Sequence, residues 1–385
     1  MSLQSNALLL GLCLLAALQG FETGPTKLVR LKLQKKINAQ TGDLGQPLTS
    51  YYANIAVGTP AKLFRMLLDV NAREIWLPHY SKIGQICTRL NYKNGYSKKD
   101  SSTSLKEEGT FRITYDGVEL TGKAYRDVFE FMNVTESISP VQYMQRFLAI
   151  SSTSNDRFCR YGVDGVIAIN PWPISETGSD LITVGLARAK LTSELKIGLA
   201  LDTDEGSDYG GELTFGGTNP LKFQGGLYFH PVQSQHSWEL NLSNVILGAE
   251  PIACANSKCK ALVSTNSNDI YGPLRFVKKI LMLLGVGSET DNYFADRLQE
   301  IDCLKVAGAP SITFVIDNAY YTLPPTAYIK KKVSGLIFKS TTCYVAILPS
   351  KSLDDWVLGT NFLANYYSVF DLNKRQIAFG SRNPR

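Results

Sequence analysis

Two stretches of the chain share one pattern of hydrophobic and polar positions. In each stretch, an apolar run leads into a three-residue turn that ends in Asn, and Ile follows a few residues later. The turns are Asp69-Val70-Asn71 and Ser264-Thr265-Asn266, and each is followed downstream by a similar apolar segment, at 164–169 and 356–359. A pattern that recurs in this order predicts that the chain consists of two copies of one half.

Alternating apolar and polar positions predict β-strands in other parts of the chain. Residues 26–37 alternate between apolar and basic side chains, and residues 111–131 form two runs on either side of Asp116-Gly117, a strong hairpin-turn signal. Helical spacing of apolar residues occurs over two short segments, 181–190 and 274–284. The predicted fold class is therefore all-β, that is, mainly β with a few short helices.

The length of the chain bears on the number of lobes, and its charge bears on the class of binding partner. The chain has 385 residues, of which 44% are hydrophobic, and its formal net charge is +6. This length exceeds what one compact core organises, so two lobes are expected. The positive charge is spread along the chain without a long basic block, so no nucleic-acid partner is inferred.

Residues 8–18 form an apolar run that is too short to span a bilayer. Such a run is typical of a secretory signal peptide, although no Lys or Arg precedes it. We therefore assign residues 1–20 to a signal peptide and expect a secreted protein, with a lysosome or another secretory compartment as the alternative. No later apolar run in the sequence is long enough to cross a membrane, so no membrane partner is expected.

The repeated motifs resemble those of the pepsin-type aspartic proteases. Residues 51–60 are similar to the strand that leads to that family's first motif, and residues 356–380 are similar to its final strands. The resemblance implies a bilobed pepsin-like fold in which two pseudo-symmetric, β-barrel-like lobes enclose a central cleft. We expect an N-terminal lobe over 21–216 and a C-terminal lobe over 217–385, joined at Gly216-Gly217.

The catalytic motifs depart from the family pattern of Asp-Thr-Gly in each lobe. Asp69 matches the first acid, and Ser264 stands where the second acid is expected. The family reaction needs two carboxylates that share one proton, because one takes a proton from water while the other donates to the carbonyl oxygen. A hydroxyl cannot replace either role, so Asp69 is expected to titrate as an ordinary single carboxylate. Taken alone, Asp69 is more simply a strand-end residue that caps its own turn.

Other departures from the family motif, at residues close to Asp69 and Ser264, also indicate that catalysis is lost. By resemblance, the residue at Val70 should be a Thr that hydrogen-bonds across the lobe interface, and the residue at Ala72 should carry a hydroxyl that supports the first acid. Asn71 and Asn266 replace glycines, so their side chains are expected to crowd the site of the catalytic water, although Asn tolerates positive φ. The residues assigned to the cleft are Trp76, Tyr115, Asp116, Asn71, Thr265 and Asn266.

The hairpin over 111–131 resembles the flap that closes over the family's cleft. Tyr115 matches the flap tyrosine, and Trp76 matches the tryptophan that holds that tyrosine's hydroxyl; each aromatic alone would be read as core packing. The flap tip is Asp116-Gly117-Val118 in place of a glycine-rich turn. A stiffer flap with a negative charge over the cleft is therefore expected.

The strand predicted at 26–37 resembles the start of the family's propeptide. Only about two dozen residues separate Leu28 from Tyr51, too few for a full propeptide and a mature N-terminal strand. We therefore expect a permanent strand, which agrees with a protein that needs no removable cover. A second apolar pair followed by Asp, at Asp317-Asn318, is read as a hairpin turn and not as a missing acid.

Cysteine usage agrees with export. Of the seven Cys, Cys13 lies in the signal peptide, and six allow fifteen pairings. The resemblance matches Cys254–Cys259 and Cys303–Cys343 to two family disulfides. Cys87 and Cys159 then either pair within one lobe, as expected in an oxidising compartment, or stay as free thiols.

Other candidate sites follow from short patterns. Asn133 and Asn241 are glycosylation acceptors if the chain is exported. The three histidines, His79, His230 and His236, form no convincing cluster. His230 and His236 could bind a metal, but surface histidines are the simpler interpretation, so no metal site or cofactor is predicted.

Three functions remain open at this point. The first is a secreted, non-catalytic homologue, expected as a monomer, whose cleft binds a peptide, a protein or a small apolar ligand. The second is an aspartic-type endopeptidase with weak residual activity at acid pH that uses Asp69, Ser264 and a trapped water. The third is a structural secreted protein without a ligand, which a cleft filled by Asn71, Asn266 and the flap would favour.

Overall fold

The computed structural model describes residues 27–38, 42–82, 94–132, 134–135, 141–172, 175, 177–178, 180–204, 206–254, 259–287, 297–334, 340–350 and 355–383. The strands described are β1 (Val29–Asn38), β2 (Leu48–Val57), β3 (Lys62–Asp69), β4 (Trp76–Pro78), β5 (Leu105–Lys106), β6 (Phe111–Tyr115), β7 (Val118–Phe131), β8 (Val134–Thr135), β9 (Val141–Thr153), β10 (Gly165–Ala168), β11 (Lys196–Leu201), β12 (Tyr209–Phe215), β13 (Phe223–Pro231), β14 (Glu239–Leu247), β15 (Glu250–Ala253), β16 (Cys259–Val263), β17 (Ile270–Pro273), β18 (Glu300–Ile301), β19 (Ile312–Ile316), β20 (Ala319–Leu323), β21 (Ile329–Ser334), β22 (Ser340–Val345), β23 (Ile347–Ser350), β24 (Asp355–Leu358), β25 (Tyr366–Asp371) and β26 (Gln376–Arg382). The α-helices described are α1 (Ile182–Arg188), α2 (Leu274–Leu283), α3 (Pro325–Tyr328) and α4 (Thr360–Leu363).

The architecture is mainly β, as predicted, and the two longer helices coincide with the segments of helical spacing. Among the described residues, the strands form a 15-stranded sheet, an 8-stranded sheet and a 3-stranded sheet. The two larger sheets carry the two copies of the sequence repeat. The all-β, two-lobed fold class expected from the sequence is confirmed.

The repeat in the sequence is a repeat in topology. In the first copy, β10 pairs parallel with β3 and antiparallel with β4, which in turn pairs parallel with β9. In the second copy, β24 pairs parallel with β16 and antiparallel with β17, which in turn pairs parallel with β23. Each copy therefore places its motif at the end of a central buried strand, β3 or β16, beside a parallel neighbour.

Strand β1 lies inside the large sheet, between β12 and β2. Over Val29–Leu33 its apolar side chains are buried and its basic ones are not, as the apolar-basic alternation of 26–37 predicted, but Lys35 is buried and Ile37 is exposed. On its far side, the sheet continues through β12, β11, β25, β26 and β13, so strands from early and late parts of the chain share one sheet. That β1 is permanent, and that the lobes meet at Gly216-Gly217, stay predictions.

Disulfides are present as Cys254–Cys259 and Cys303–Cys343, which confirms both pairs that the resemblance implied. Cys159 is also disulfide-bonded, so the alternative of a free thiol at this position is wrong. Cys87, its expected partner, lies outside the described residues. Asn133 lies outside them as well, whereas Asn241 is a partly buried residue of β14.

None of the helices in the described ranges is long and apolar enough to cross a bilayer. The largest fully buried side chains include one tryptophan from each repeated segment, Trp76 and Trp356. Trp76 packs against Tyr115 and Phe158, and Trp356 packs against Phe276 and Phe314.

Candidate functional site

The two motif loops lie at equivalent places in the fold. Asp69 is the last residue of β3 and pairs with Ala168 of the parallel strand β10. Ser264 directly follows β16, and its backbone N–H donates to the carbonyl of Leu358 at the end of the parallel strand β24 (3.0 Å). Asp69 and Ser264 are therefore the matching residues of the two halves.

Asp69 is buried, with 3% of its surface exposed. Its Oδ1 accepts hydrogen bonds from the backbone N–H groups of Asn71 (2.8 Å) and Ala72 (3.1 Å), and its Oδ2 accepts one from the Tyr115 hydroxyl (2.9 Å). Burial raises the pKa of Asp69, and these three hydrogen bonds offset the rise only in part. The expectation of an ordinary carboxylate was wrong, because the sequence does not show how deeply the group is buried.

Ser264 is also buried, and its Oγ accepts a hydrogen bond from the backbone N–H of Asn266 (3.2 Å). The same contact, from the residue two positions later, reaches Asp69 in the first half. The second loop thus keeps the local geometry of the first and presents a hydroxyl where the first presents a carboxylate.

Thr265 joins the two loops. Its Oγ1 donates to the carbonyl of Leu68 (2.8 Å) and accepts from the backbone N–H of Val70 (3.1 Å). As expected, Val70 in the first loop has no side-chain group that could form the equivalent hydrogen bonds to the second loop. One half of the link across the interface is therefore present, and it comes entirely from the second loop.

Replacing Thr265 by Val is expected to lower the free energy of unfolding by about 2 to 3 kcal/mol, because two buried backbone groups lose their partner. Equilibrium denaturation by urea measures this loss. Thr265→Ser is the matched control, since it keeps the hydroxyl and should be close to the wild-type chain. Equal losses in both variants would contradict a role for the hydroxyl.

The side chain of Asn71 has hydrogen-bond partners in the other half of the molecule. Its Nδ2 donates to the carbonyl of Val263 (2.8 Å), and its Oδ1 accepts from the backbone N–H of Trp238 (3.1 Å), so it forms a second link between the halves. That Asn71 and Asn266 crowd the site of the catalytic water stays a prediction. Asn71 and Asn266, both among the described residues, do not adopt positive φ. The ability of Asn to adopt positive φ therefore does not explain why these two residues replace glycines.

The flap tyrosine contacts Asp69 and not Trp76. The Tyr115 hydroxyl donates to the Asp69 carboxylate, while the Trp76 ring packs edge-on against Tyr115 with centroids 5.6 Å apart. Trp76 Nε1 is buried and has no hydrogen-bond partner among the described residues. The tyrosine–tryptophan hydrogen bond that the resemblance implied is thus replaced by a bond that closes the flap onto Asp69.

The flap tip forms the predicted turn between β6 and β7, with positive φ at Asp116 (48°) and Gly117 (73°). The Asp116 carboxylate does not stand unpaired over the cleft. It contacts Arg160 (3.2 Å), Arg157 (3.3 Å) and the Tyr161 hydroxyl (3.1 Å). Neither arginine was predicted as a site residue, although their spacing of three residues is a signal that the sequence contains.

A cavity of about 580 Å³ lies beneath the flap tip and is lined by residues of both halves. Asp116, Arg157 and Arg160 line it on the flap side, and Asn266 and Tyr271 line it on the side of the second motif. The cleft therefore retains open space next to the motif loops.

A second buried acid, Asp269, also lines this cavity and was not predicted as a site residue. It lies five residues after Ser264, as the buried Glu74 lies five residues after Asp69, so the repeat itself was the signal. Asn361 Nδ2 donates to Asp269 Oδ1 (3.1 Å). Burial raises the pKa of Asp269 to about 7, and hydrogen bonding by Gln46 and Asn361 and the charge of Lys330 offset burial only in part.

His230 is not a surface residue, contrary to the expectation. It is buried, with Nδ1 3.2 Å from Asp317 Oδ2 and Nε2 2.5 Å from the Tyr321 hydroxyl. Asp317 and Asn318 have positive φ at the turn between β19 and β20, which confirms the hairpin turn predicted there. In the described ranges, no group of three or more His, Cys, Asp or Glu side chains is arranged to hold a metal ion.

Comparison with known proteins agrees with this geometry. The family model described as Eukaryotic aspartyl protease matches residues 50–382. Gastricsin from Cavia porcellus is 26% identical over 352 residues, which cover 89% of this chain and 84% of the relative. Pepsin A from Bos taurus is 26% identical over 330 residues (86% and 83%), and Pregnancy-associated glycoprotein 1 from Bos taurus is 29% identical over 328 residues (85% and 80%).

Proposed function

The chain belongs to the eukaryotic aspartyl protease family, and from this premise we propose that it is a secreted member whose cleft binds a peptide or a protein segment without hydrolysing it. The observation that carries the proposal is the equivalence of Asp69 and Ser264. Each follows or ends the central strand of its half, and each accepts a hydrogen bond from the backbone two residues later. The proton-sharing pair of carboxylates is thereby reduced to one carboxylate.

One carboxylate and one hydroxyl do not supply both proton transfers. Burial raises the pKa of Asp69 and so favours its protonated form, which can donate a proton but cannot take one from water. When Asp69 is ionised, the Ser264 hydroxyl is a poor proton donor to the substrate carbonyl oxygen. Each acid–base role contributes about a hundred- to ten-thousand-fold in rate, so the loss of one role removes most of the activity.

The contacts of Asp69 support the same proposal. Its two oxygens already accept three hydrogen bonds from Asn71, Ala72 and Tyr115. The Tyr115 hydroxyl already occupies one acceptor site of Oδ2, and a water or a substrate at Oδ2 must share this oxygen with it. This arrangement stabilises a resting carboxylate and a closed flap.

The open cavity supports binding over a purely structural role. A structural protein was expected to fill its cleft with Asn71, Asn266 and the flap. About 580 Å³ of space remains beneath the flap tip, next to Asn266 and Asp116. A peptide, a protein segment or a small apolar ligand can enter such a space, and a peptide is the ligand type that members of this family bind in their cleft.

A second candidate is an endopeptidase with weak residual activity at acid pH. The burial of Asp69 favours it, because a raised pKa keeps the proton that a general acid must donate. Assay of the purified chain on a denatured protein at acid pH separates the candidates, with Asp69→Ala as the control. We expect no cleavage beyond that of the variant; cleavage that disappears in Asp69→Ala would establish the endopeptidase instead.

Secretion is proposed from the apolar run at 8–18 and is supported by the disulfides in both halves of the chain. Expression in animal cells and analysis of the medium test it. Treatment with a glycosidase then reports on Asn133 and Asn241, for which Asn→Gln variants are the controls.

A further inference from the structure

Two arginines are held side by side in the wall of the cleft. Arg157 and Arg160 lie on a short 3₁₀ helix over Arg157–Tyr161. Residues three apart on such a helix lie one above the other on the same face. Both guanidinium groups therefore point to one place, and both line the cavity beneath the flap tip.

That place is occupied by a carboxylate from the chain itself. Arg157 Nη2 lies 3.3 and 3.1 Å from the two Asp43 oxygens, and Arg160 Nη1 lies 2.7 Å from Asp43 Oδ1. Asp43 belongs to the loop between β1 and β2, and 57% of its side chain is exposed. An exposed loop carboxylate is thus bound by two arginines in a manner typical of ligand recognition.

The contact with Asp43 is replaceable. Asp43 and Arg157 are both exposed, and an ion pair between such groups contributes at most about 1 kcal/mol. When Asp43 leaves this pair, its carboxylate regains hydration by water, which offsets most of that contribution. Asp116, on the flap, is less exposed and keeps its own contacts to both arginines and to Tyr161.

We infer that Arg157 and Arg160 form a recognition site for an acidic side chain of the peptide or protein segment in the cleft, and that Asp43 stands where this carboxylate binds. The inference rests on the proposed function, since it names the ligand chemistry of the same cleft. Two guanidinium groups can bind a planar carboxylate through paired hydrogen bonds, which a neutral amide of the same shape cannot match. The positive net charge of +6 also favours an acidic partner over long range.

The test compares pools of fluorescent octapeptides that carry either Glu or Gln at one fixed position, with mixed residues elsewhere. For the wild-type chain, the Glu pool is expected to bind about tenfold more tightly than the Gln pool at one position, by fluorescence polarisation. In the double variant Arg157→Gln, Arg160→Gln this ratio should fall to about one. Arg126→Gln is the matched control, because Arg126 is an exposed arginine that pairs with Glu107 and does not line the cavity.

Asp43→Asn provides an independent variant that leaves both arginines in place. It removes the competing carboxylate, so the Glu pool should bind several-fold more tightly than to the wild-type chain while the Gln pool is unchanged. If the double arginine variant does not fold, Asp43→Asn provides the test. A ratio of Glu-pool to Gln-pool affinity in Asp43→Asn that equals the wild-type ratio overturns the inference. Equal binding of Glu and Gln pools at every position also overturns it and leaves cleft binding intact, whereas no binding by any pool overturns the proposed function as well.

Discussion

Replacing Ser264 by Asp is expected to raise the rate of acid proteolysis by a factor of about 100 to 10,000 over the wild-type chain. The new carboxylate would accept the hydrogen bond that Asn266 now donates to Ser264 Oγ. Two carboxylates that face each other share one proton, so one is ionised and takes the proton of water while the other donates. Initial rates on a denatured protein measure the gain, and carboxyl NMR should show that the titration of Asp69 splits into two steps.

Two controls make this result specific. Ser264→Asn places a side chain of the same size without an acid and should stay at the wild-type level. Ser264→Asp combined with Asp69→Ala again leaves a single acid and should lose the gain. Equal rates for Ser264→Asp and Ser264→Asn would contradict the view that the missing second acid limits the reaction.

The second large effect concerns the buried acid Asp269. Its pKa is about 7 in the folded protein, against an ordinary value of 3.8. Because the folded state binds this proton more tightly, the stability contribution of Asp269 is full below pH 3.8 and is lost as pH rises towards 7. The difference in pKa corresponds to a loss of about 4 kcal/mol at higher pH.

Asp269→Asn is therefore expected to raise the free energy of unfolding by up to about 4 kcal/mol well above pH 7 and to leave it nearly unchanged below pH 3.8. The neutral amide keeps the shape of the carboxyl group and its oxygen can still accept the hydrogen bond from Asn361. Urea denaturation over a pH series measures the effect. Asp100→Asn, at an exposed position, is the control; parallel pH profiles for the wild-type chain and Asp269→Asn would contradict the assignment.

Much of the fold was predictable because it follows from local patterns. The flap strands begin and end at the predicted residues, Phe111–Tyr115 and Val118–Phe131, since alternation and an Asp-Gly turn are local signals. The helix predicted over 274–284 occurs as Leu274–Leu283 for the same reason. The repeat of motif and downstream strand was visible because both halves use the same order of apolar segments.

The contacts of the candidate site were less predictable. The hydrogen bonds that Asn71 forms with Val263 and Trp238, which are far away in sequence, were not predicted. Tyr115 was placed near Trp76 correctly, but its hydroxyl donates to Asp69. A polar side chain takes whichever partner the tertiary structure brings within reach, and a sequence motif does not specify that partner.

The sequence by itself determined the two-fold repeat, the mainly β fold and the identity of the two motif residues, because residue type and periodicity are properties of the chain. Only the tertiary structure decided how deeply Asp69 and Asp269 are buried, and hence the direction of their pKa shifts, because desolvation depends on atoms from all parts of the chain. It also decided that Asp43 and Asp116 meet Arg157 and Arg160 in one wall of the cleft. These pairs form because sheet packing brings a loop, a hairpin tip and a short helix together, and no local pattern encodes that meeting.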